Sequence, residues 1–217
     1  MLQSFSKTVK IPAGQVMLDG ELTIPAGATA IVIFSHGSGS SRFSPRNQSV
    51  ALALQQHGFG TLLFDLLTKV EETGSYYTRF NISLLTSRLV NTTKWLSAFQ
   101  PVNHSTIGYF GASTGAAAAL EAASELPYVQ AVVSRGGRPD LAATALPVIT
   151  TPTLLIVGSL DPEVLALNQH ALTQLKGPKK LLVIPGAGHL FEEGDTLRQV
   201  GIAAIEWFDQ YLHLKST

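Results

Sequence analysis

An α/β fold with a mostly parallel central sheet is what this 217-residue sequence predicts, on three observations. Short apolar runs rich in β-branched residues recur along the chain. Each is almost continuously apolar, as expected of strands buried on both faces. Helix-length segments separate them, and that alternation places helices on both faces of one sheet.

The elements follow in order. "KTVKIPAGQVMLDGELTIPAG" reads as two extended pieces turning at Pro12-Ala13-Gly14, an antiparallel edge to the sheet; Asp19-Gly20 offers a second turn or a bulge. The predicted buried strands are Ala30–Ser35, Thr61–Leu67, Thr106–Phe110, Val129–Ser134, Thr153–Gly158 and Lys180–Pro185. The predicted helices are Asn47–His57, Asn81–Phe99, Thr114–Ser124, Pro162–Leu175 and Thr196–Leu214. Polar connections remain at Gly37–Arg46, Thr68–Arg79 and Arg135–Asp140. No repeat or linker interrupts the pattern, so one domain over residues 1–217 is expected, without a large lid and open to short acyl groups.

Composition narrows the function classes. Fifteen Lys plus Arg balance fifteen Asp plus Glu, which gives no general field for nucleic acid or an anionic membrane. Cys is absent, which excludes disulfides, thiolate metal sites and a cysteine nucleophile. The start has no apolar leader-like core and no run reaches the roughly 18 residues of a membrane helix, so a cytoplasmic protein is expected.

Chemistry concentrates after the strands. In "TIGYFGASTGAAAAL", Ser113 sits between Gly111 and Gly115 at a strand-to-helix junction. Tight junctions of this kind bring backbone close to neighbouring elements, and glycine removes the clash. G-x-S-x-G alone is a weak signal, because serine also caps helices. A serine hydroxyl needs a base, an orienting acid and oxyanion donors to react. "VGSLDPEV" places Asp161 after a strand, where its carboxylate could equally cap the helix starting at Pro162. "PGAGHLFEE" places His189 in a glycine-flanked loop after the last strand. "SHGSG" ends a strand in a turn whose Ser38 N–H, with the Thr114 N–H, is assigned as an oxyanion hole; His36 is read as holding that loop. His57, His104, His170 and His213 read as surface or capping residues, and Asp140 and Asp195 are fallback acids.

The order Ser113, Asp161, His189 matches the Ser…Asp/Glu…His order of α/β-hydrolases. On "SHGSG", "GASTG", "VGSLDPEV" and "PGAGHLFEE" the chain resembles that superfamily, and in size it is similar to the small dienelactone-hydrolase-like group. The resemblance implies a serine hydrolase, carboxylesterase-like, acting on small-molecule esters without metal or organic cofactor. It departs at the nucleophile, which is cysteine in dienelactone hydrolase and Ser113 here. The same residues leave a thioesterase, a small-peptide hydrolase or a non-catalytic ligand-binding protein as alternatives. "SRGGRPD" brings Arg135, and with it Arg138, to the Ser113 edge as candidates for binding a substrate carboxylate; bracing of the loop is the competing role.

Overall fold

The computed structural model describes residues 4–102 and 105–212. Its eight strands form one sheet: β1 (Phe5–Ala13), β2 (Val16–Ile24), β3 (Ala30–Ser35), β4 (Gly60–Phe64), β5 (Thr106–Ala112), β6 (Val129–Arg135), β7 (Thr153–Gly158) and β8 (Lys179–Ile184). Their spatial order is β1-β2-β4-β3-β5-β6-β7-β8. Strand β2 runs antiparallel to both neighbours, and the pairs from β4 to β8 are parallel. The helices are α1 (Pro45–Gln56), α2 (Lys69–Gly74), α3 (Ile82–Ala98), α4 (Thr114–Glu125), α5 (Pro162–Gln174) and α6 (Thr196–Tyr211).

Every residue of β3, β4, β5 and β7 is buried, as the unbroken apolar runs require. Alternate side chains feed two cores. Ile31, Ile33 and Tyr109 face α3 and α4, and Ala171 of α5 joins the same layer. Val32, Phe34 and Phe110 pack on α1 and α6 through Leu54, Val200 and Phe208. No helix among the described residues is long and apolar enough to cross a membrane.

Four local readings change. Asp19-Gly20 makes no turn but lies inside β2, where a Cβ on Gly20 would stand 2.9 Å from Ile11 Cδ1 across the hairpin. Strand β4 stops at Phe64: Asp65 N still reaches β2, donating to Asp19 O at 2.9 Å, but Leu66 N leaves the ladder and donates to His36 Nε2 at 3.0 Å. The connection after it holds helix α2, started by a reciprocal Thr68/Glu71 capping box. Strand β8, expected to be buried on both faces, is instead the sheet edge and largely exposed, since no strand covers its outer side; Lys179 and Lys180 there discourage further strand pairing.

Candidate functional site

From β3 the chain passes to β4 on one side and then to β5 on the other. Loops leaving the C-terminal ends of β3 and β5 therefore diverge and open a crevice, the usual ligand position in open α/β sheets. The two strands run in register up to Ser35 and Gly111. The His36–Ser38 turn and Ser113 thus meet at this crevice.

Ser113 has φ 52° and ψ −123°, outside the regions open to ordinary residues. Its backbone is pinned: N donates to Arg135 O at 3.3 Å, and O accepts from Ala116 N at 3.1 Å and Arg138 N at 3.2 Å. The flanking glycines are steric necessities. A Cβ on Gly115 would lie 2.2 Å from Ser35 O, and one on Gly111 2.5 Å from Ala116 Cα. Although Ser113 is the N-cap residue of α4, its side chain makes no capping hydrogen bond.

Asp161 likewise occupies the N-cap of α5 without capping it through its side chain. Its Oδ2 instead meets His189 Nδ1 at 2.6 Å, with the carboxylate largely buried and the imidazole partly exposed. The competition between cap and histidine partner is settled for the histidine. The fallback acids are engaged elsewhere, Asp140 with Arg138 and Asp195 with Arg198. The His189 loop has anchors that the motif reading passed over. Phe191, at φ 57°, is buried beneath it, and Glu193 Oε2 accepts from Gly188 N at 3.0 Å. That backbone N–H holds the Glu193 carboxyl below its ordinary pKa. The aromatic and acidic residues of "HLFEE" were the available signal.

His189 hangs over the end of β6: a Cβ on Gly136 would be 3.6 Å from its Cε1. Ser113 is bound to the other side of the same strand end through Arg135 O. The three candidate residues are thus brought to one edge. Among the described residues, Ser113 Oγ makes no hydrogen bond to the His189 ring. Bonds between a nucleophile and its base are often long in a free site and tighten with substrate.

The oxyanion loop differs from expectation in one donor. Ser38 N–H donates to Thr114 Oγ1 at 2.8 Å, so the β3 turn and the start of α4 meet through a threonine hydroxyl. His36 has the structural place expected of it. Nδ1 donates to Gly37 O at 2.9 Å, and Nε2 accepts from Leu66 N, which fixes a neutral ring with both nitrogens used. Burial pushes its pKa below the ordinary 6.5, against the smaller opposing pull of the Gly37 carbonyl, Asp65 and Glu72. The unfolded chain then takes up a proton near pH 6.5 that the folded one refuses, so stability is full above that pH and falls as pH is lowered through it. The melting temperature is expected to be level from about pH 7 to 8 and to drop below about 6.5. In His36→Asn that slope flattens, and equal slopes in the two proteins would remove His36 as its source.

The two arginines separate. Arg138 forms a two-pronged pair with Asp140 at 2.9 and 2.7 Å, and that carboxylate raises its pKa. Arg135 is buried. Of the histidines read as surface residues, His57 and His170 are exposed, paired with Asp209 and Gln174; His104 and His213 lie outside the described residues. Exposed Leu160 and Leu190 adjoin Asp161 and His189 and give the rim an apolar character. A cleft of 550 Å³ opens beside the His36 turn, between Phe43, Leu67 and Lys69. Another, of 620 Å³, lies at the opposite sheet edge around Pro127–Gln130 and Thr150–Pro152, away from these groups.

Sheet order, the strained elbow and the loops around it define an α/β-hydrolase. Residues 18–212 match the dienelactone hydrolase family, and the chain belongs to it. A crystal structure of dienelactone hydrolase from Anabaena variabilis is similar at 55% identity and TM-score 0.95, over 97% of this chain and 100% of that one. An esterase of Pyrococcus furiosus has the same fold at TM-score 0.80 and 22% identity, over 98% of this chain and 95% of that one. Two curated Mycobacterium tuberculosis proteins, provisionally named phosphoribosyl transferases, are 52% identical over 205 residues. That match covers 94% of this chain and 46% of theirs, so the chain spans about half the length of these relatives.

Proposed function

We propose that this hydrolase cleaves small esters by acyl transfer from Ser113 to water. One observation carries the reading: Ser113 and Asp161 both begin helices, and neither side chain is used as a cap. The carboxylate is directed to His189 instead, and the serine is held at a strained elbow. Elements spent this way have a better account in nucleophilic catalysis than in helix capping.

In the proposed reaction Ser113 Oγ attacks the ester carbonyl while His189 Nε2 takes its proton. Asp161 keeps Nδ1 protonated and stabilises the imidazolium. His189 then protonates the leaving alcohol and afterwards activates the water that releases the acid. The oxyanion is held at the start of α4 by the Thr114 N–H. Thr114 Oγ–H supplies a second donor, polarised by the bond it accepts from Ser38 N–H. Thr114→Val is therefore expected to lower kcat by about 10²-fold, and Thr114→Ser to restore most of it. A Val variant with wild-type kcat would return the second donor to Ser38.

The mycobacterial transferase name belongs to chains less than half matched here and enters no step of this reaction. The test is a panel of short oxygen esters, thioesters and small amides, run beside labelling with a fluorophosphonate. Expected are turnover of short oxygen esters and a label on Ser113. Turnover of thioesters or amides alone would move the reading to those leaving groups. An unlabelled, inactive protein would leave a ligand-binding member of the fold.

A further inference from the structure

Two cavities meet at Glu72. One is the open 550 Å³ cleft beside the His36 turn, with Phe43 and Thr73 among its walls. The other is a hollow behind the same turn, bounded by Gly37, Ser38, Arg79 and Leu85 and too narrow for a water molecule. The hollow adjoins the nucleophile: a Cβ on Gly37 would stand 3.0 Å from Ser113 Cβ and 3.7 Å from Ser113 Oγ. Among the described residues, three line both cavities: His36, Leu67 and Glu72. The first two are buried, and both ring nitrogens of His36 are bonded. Glu72 is the one whose surroundings leave it free to move.

Its segment joins β4 to α3 and consists of α2 and the short 3-10 helix Tyr76–Phe80, neither of which contributes a buried residue. The rings of Tyr76, Tyr77 and Phe80 pack on one another and stand exposed. Between its flanks Thr68 and Asn81, the side-chain tie from this segment to the rest of the described chain is Glu71 Oε1, which accepts from Arg88 Nη2 at 2.7 Å. Glu72 is paired inside the segment. Its Oε1 meets Arg79 Nε at 2.9 Å, and its backbone O accepts from Arg79 Nε and Nη2. Chain with few buried apolar contacts opens at low cost. A partly exposed ion pair is also weak enough to part. Glu72 and Arg79 can therefore swing aside without unpacking either core.

We propose that Glu72, braced by Arg79, is the chain-length gate of the acyl pocket. With the gate closed the hollow admits nothing, and an acetyl group is held at the elbow alone. A longer straight aliphatic chain enters when Glu72 is displaced, which joins the hollow to the cleft. The inference rests on the esterase reading above and narrows its substrate to esters of compact acyl groups. The walls fit an alkyl chain once the carboxylate has moved. Leu67 and Leu85 give the hollow an apolar floor, and Phe43, 54% exposed, gives the cleft an apolar wall for the chain end.

The experiment assays p-nitrophenyl acetate, butanoate and hexanoate on wild type, Glu72→Ala, Glu72→Gln and Arg79→Ala. Wild type is expected to favour acetate over hexanoate in kcat/KM. Glu72→Ala is expected to raise the hexanoate-to-acetate ratio by about 10-fold, the worth of burying two further CH₂ groups, and mostly through KM. Glutamine fills the same space and keeps the wild-type ratio. Arg79→Ala unties the carboxylate and raises the ratio by less than Glu72→Ala does. A wild type that already prefers hexanoate, an unchanged ratio in Glu72→Ala, an equal rise in Glu72→Gln, or equal loss on all three esters overturns the proposal. The last outcome would make Glu72 a support for the oxyanion turn. If Glu72→Ala does not fold, Arg79→Ala is held to the same criterion. A separate arm titrates Ser113→Ala and Ser113→Ala/Glu72→Ala with hexanamide and follows the melting temperature. A saturable rise that is larger in the double variant supports the gate even if wild type turns over no ester. An equal rise in both rejects the gate. No rise in the double variant rejects the pocket and leaves the esterase reading to its own test.

Discussion

Ser113→Ala is expected to lower kcat for a short ester by about 10⁶-fold, the loss seen when a serine nucleophile is removed from a working triad. The fold should be indifferent to the change. The hydroxyl caps nothing, and alanine meets the same backbone strain as serine at φ 52°. Melting temperatures of the two proteins should agree within about 1 °C. Ser113→Gly separates strain from chemistry. Glycine occupies this conformation freely, so it should be equally inactive yet melt about 2–4 °C higher, as relief of about 1 kcal/mol implies for a chain of this size. Ester turnover near the wild-type rate in Ser113→Ala would sink the nucleophile assignment. A lower melting temperature in Ser113→Gly would show that the elbow is not strained.

Asp161→Asn is expected to cost about 10⁴-fold in kcat, because asparagine can hold the imidazole in the tautomer that cannot accept the serine proton. Its carboxylate meets His189 Nδ1 at 2.6 Å and contributes no side-chain cap to α5. Asparagine is also a good N-cap, so the helix has little to lose. The effect should therefore appear in turnover with the melting temperature nearly unchanged. The reverse pattern, full turnover and a lowered melting temperature, would return Asp161 to the role of cap.

The N-cap positions show how far sequence reasoning reaches. Serine before "TGAAAAL" and aspartate before "PEVL" are good caps and good catalytic groups alike. Residue type could not choose between those roles, because the choice depends on which partner the side chain meets. For Asp161 that partner lies 28 residues away, on the loop after β8. The arginines of "SRGGRPD" posed the same problem. Arg138 finds a carboxylate two residues on, whereas Arg135 enters a layer assembled from distant elements and finds none. The Ser38 N–H was assigned outward from its glycine-rich turn. Its actual acceptor, Thr114 Oγ1, is 76 residues away.

Residue pattern alone was enough for helices on both faces of one sheet, for the buried strands other than β8, and for the strand end that each candidate residue follows. Strands β3 and β7 fall on the expected residues, since continuous apolar character over six positions leaves little choice but burial on both faces. Helix α2 was read as part of a polar connection, although its capping box was a local signal for it. Only the tertiary structure decided which polar side chains face one another and which buried charge is left unmatched. Local hydrogen-bonding and packing preferences are written within a few residues of the chain. Long-range polar partners depend on the order in which the strands assemble, and that order sets the C-terminal ends of the parallel strands β3, β5, β6, β7 and β8 side by side along one edge of the sheet.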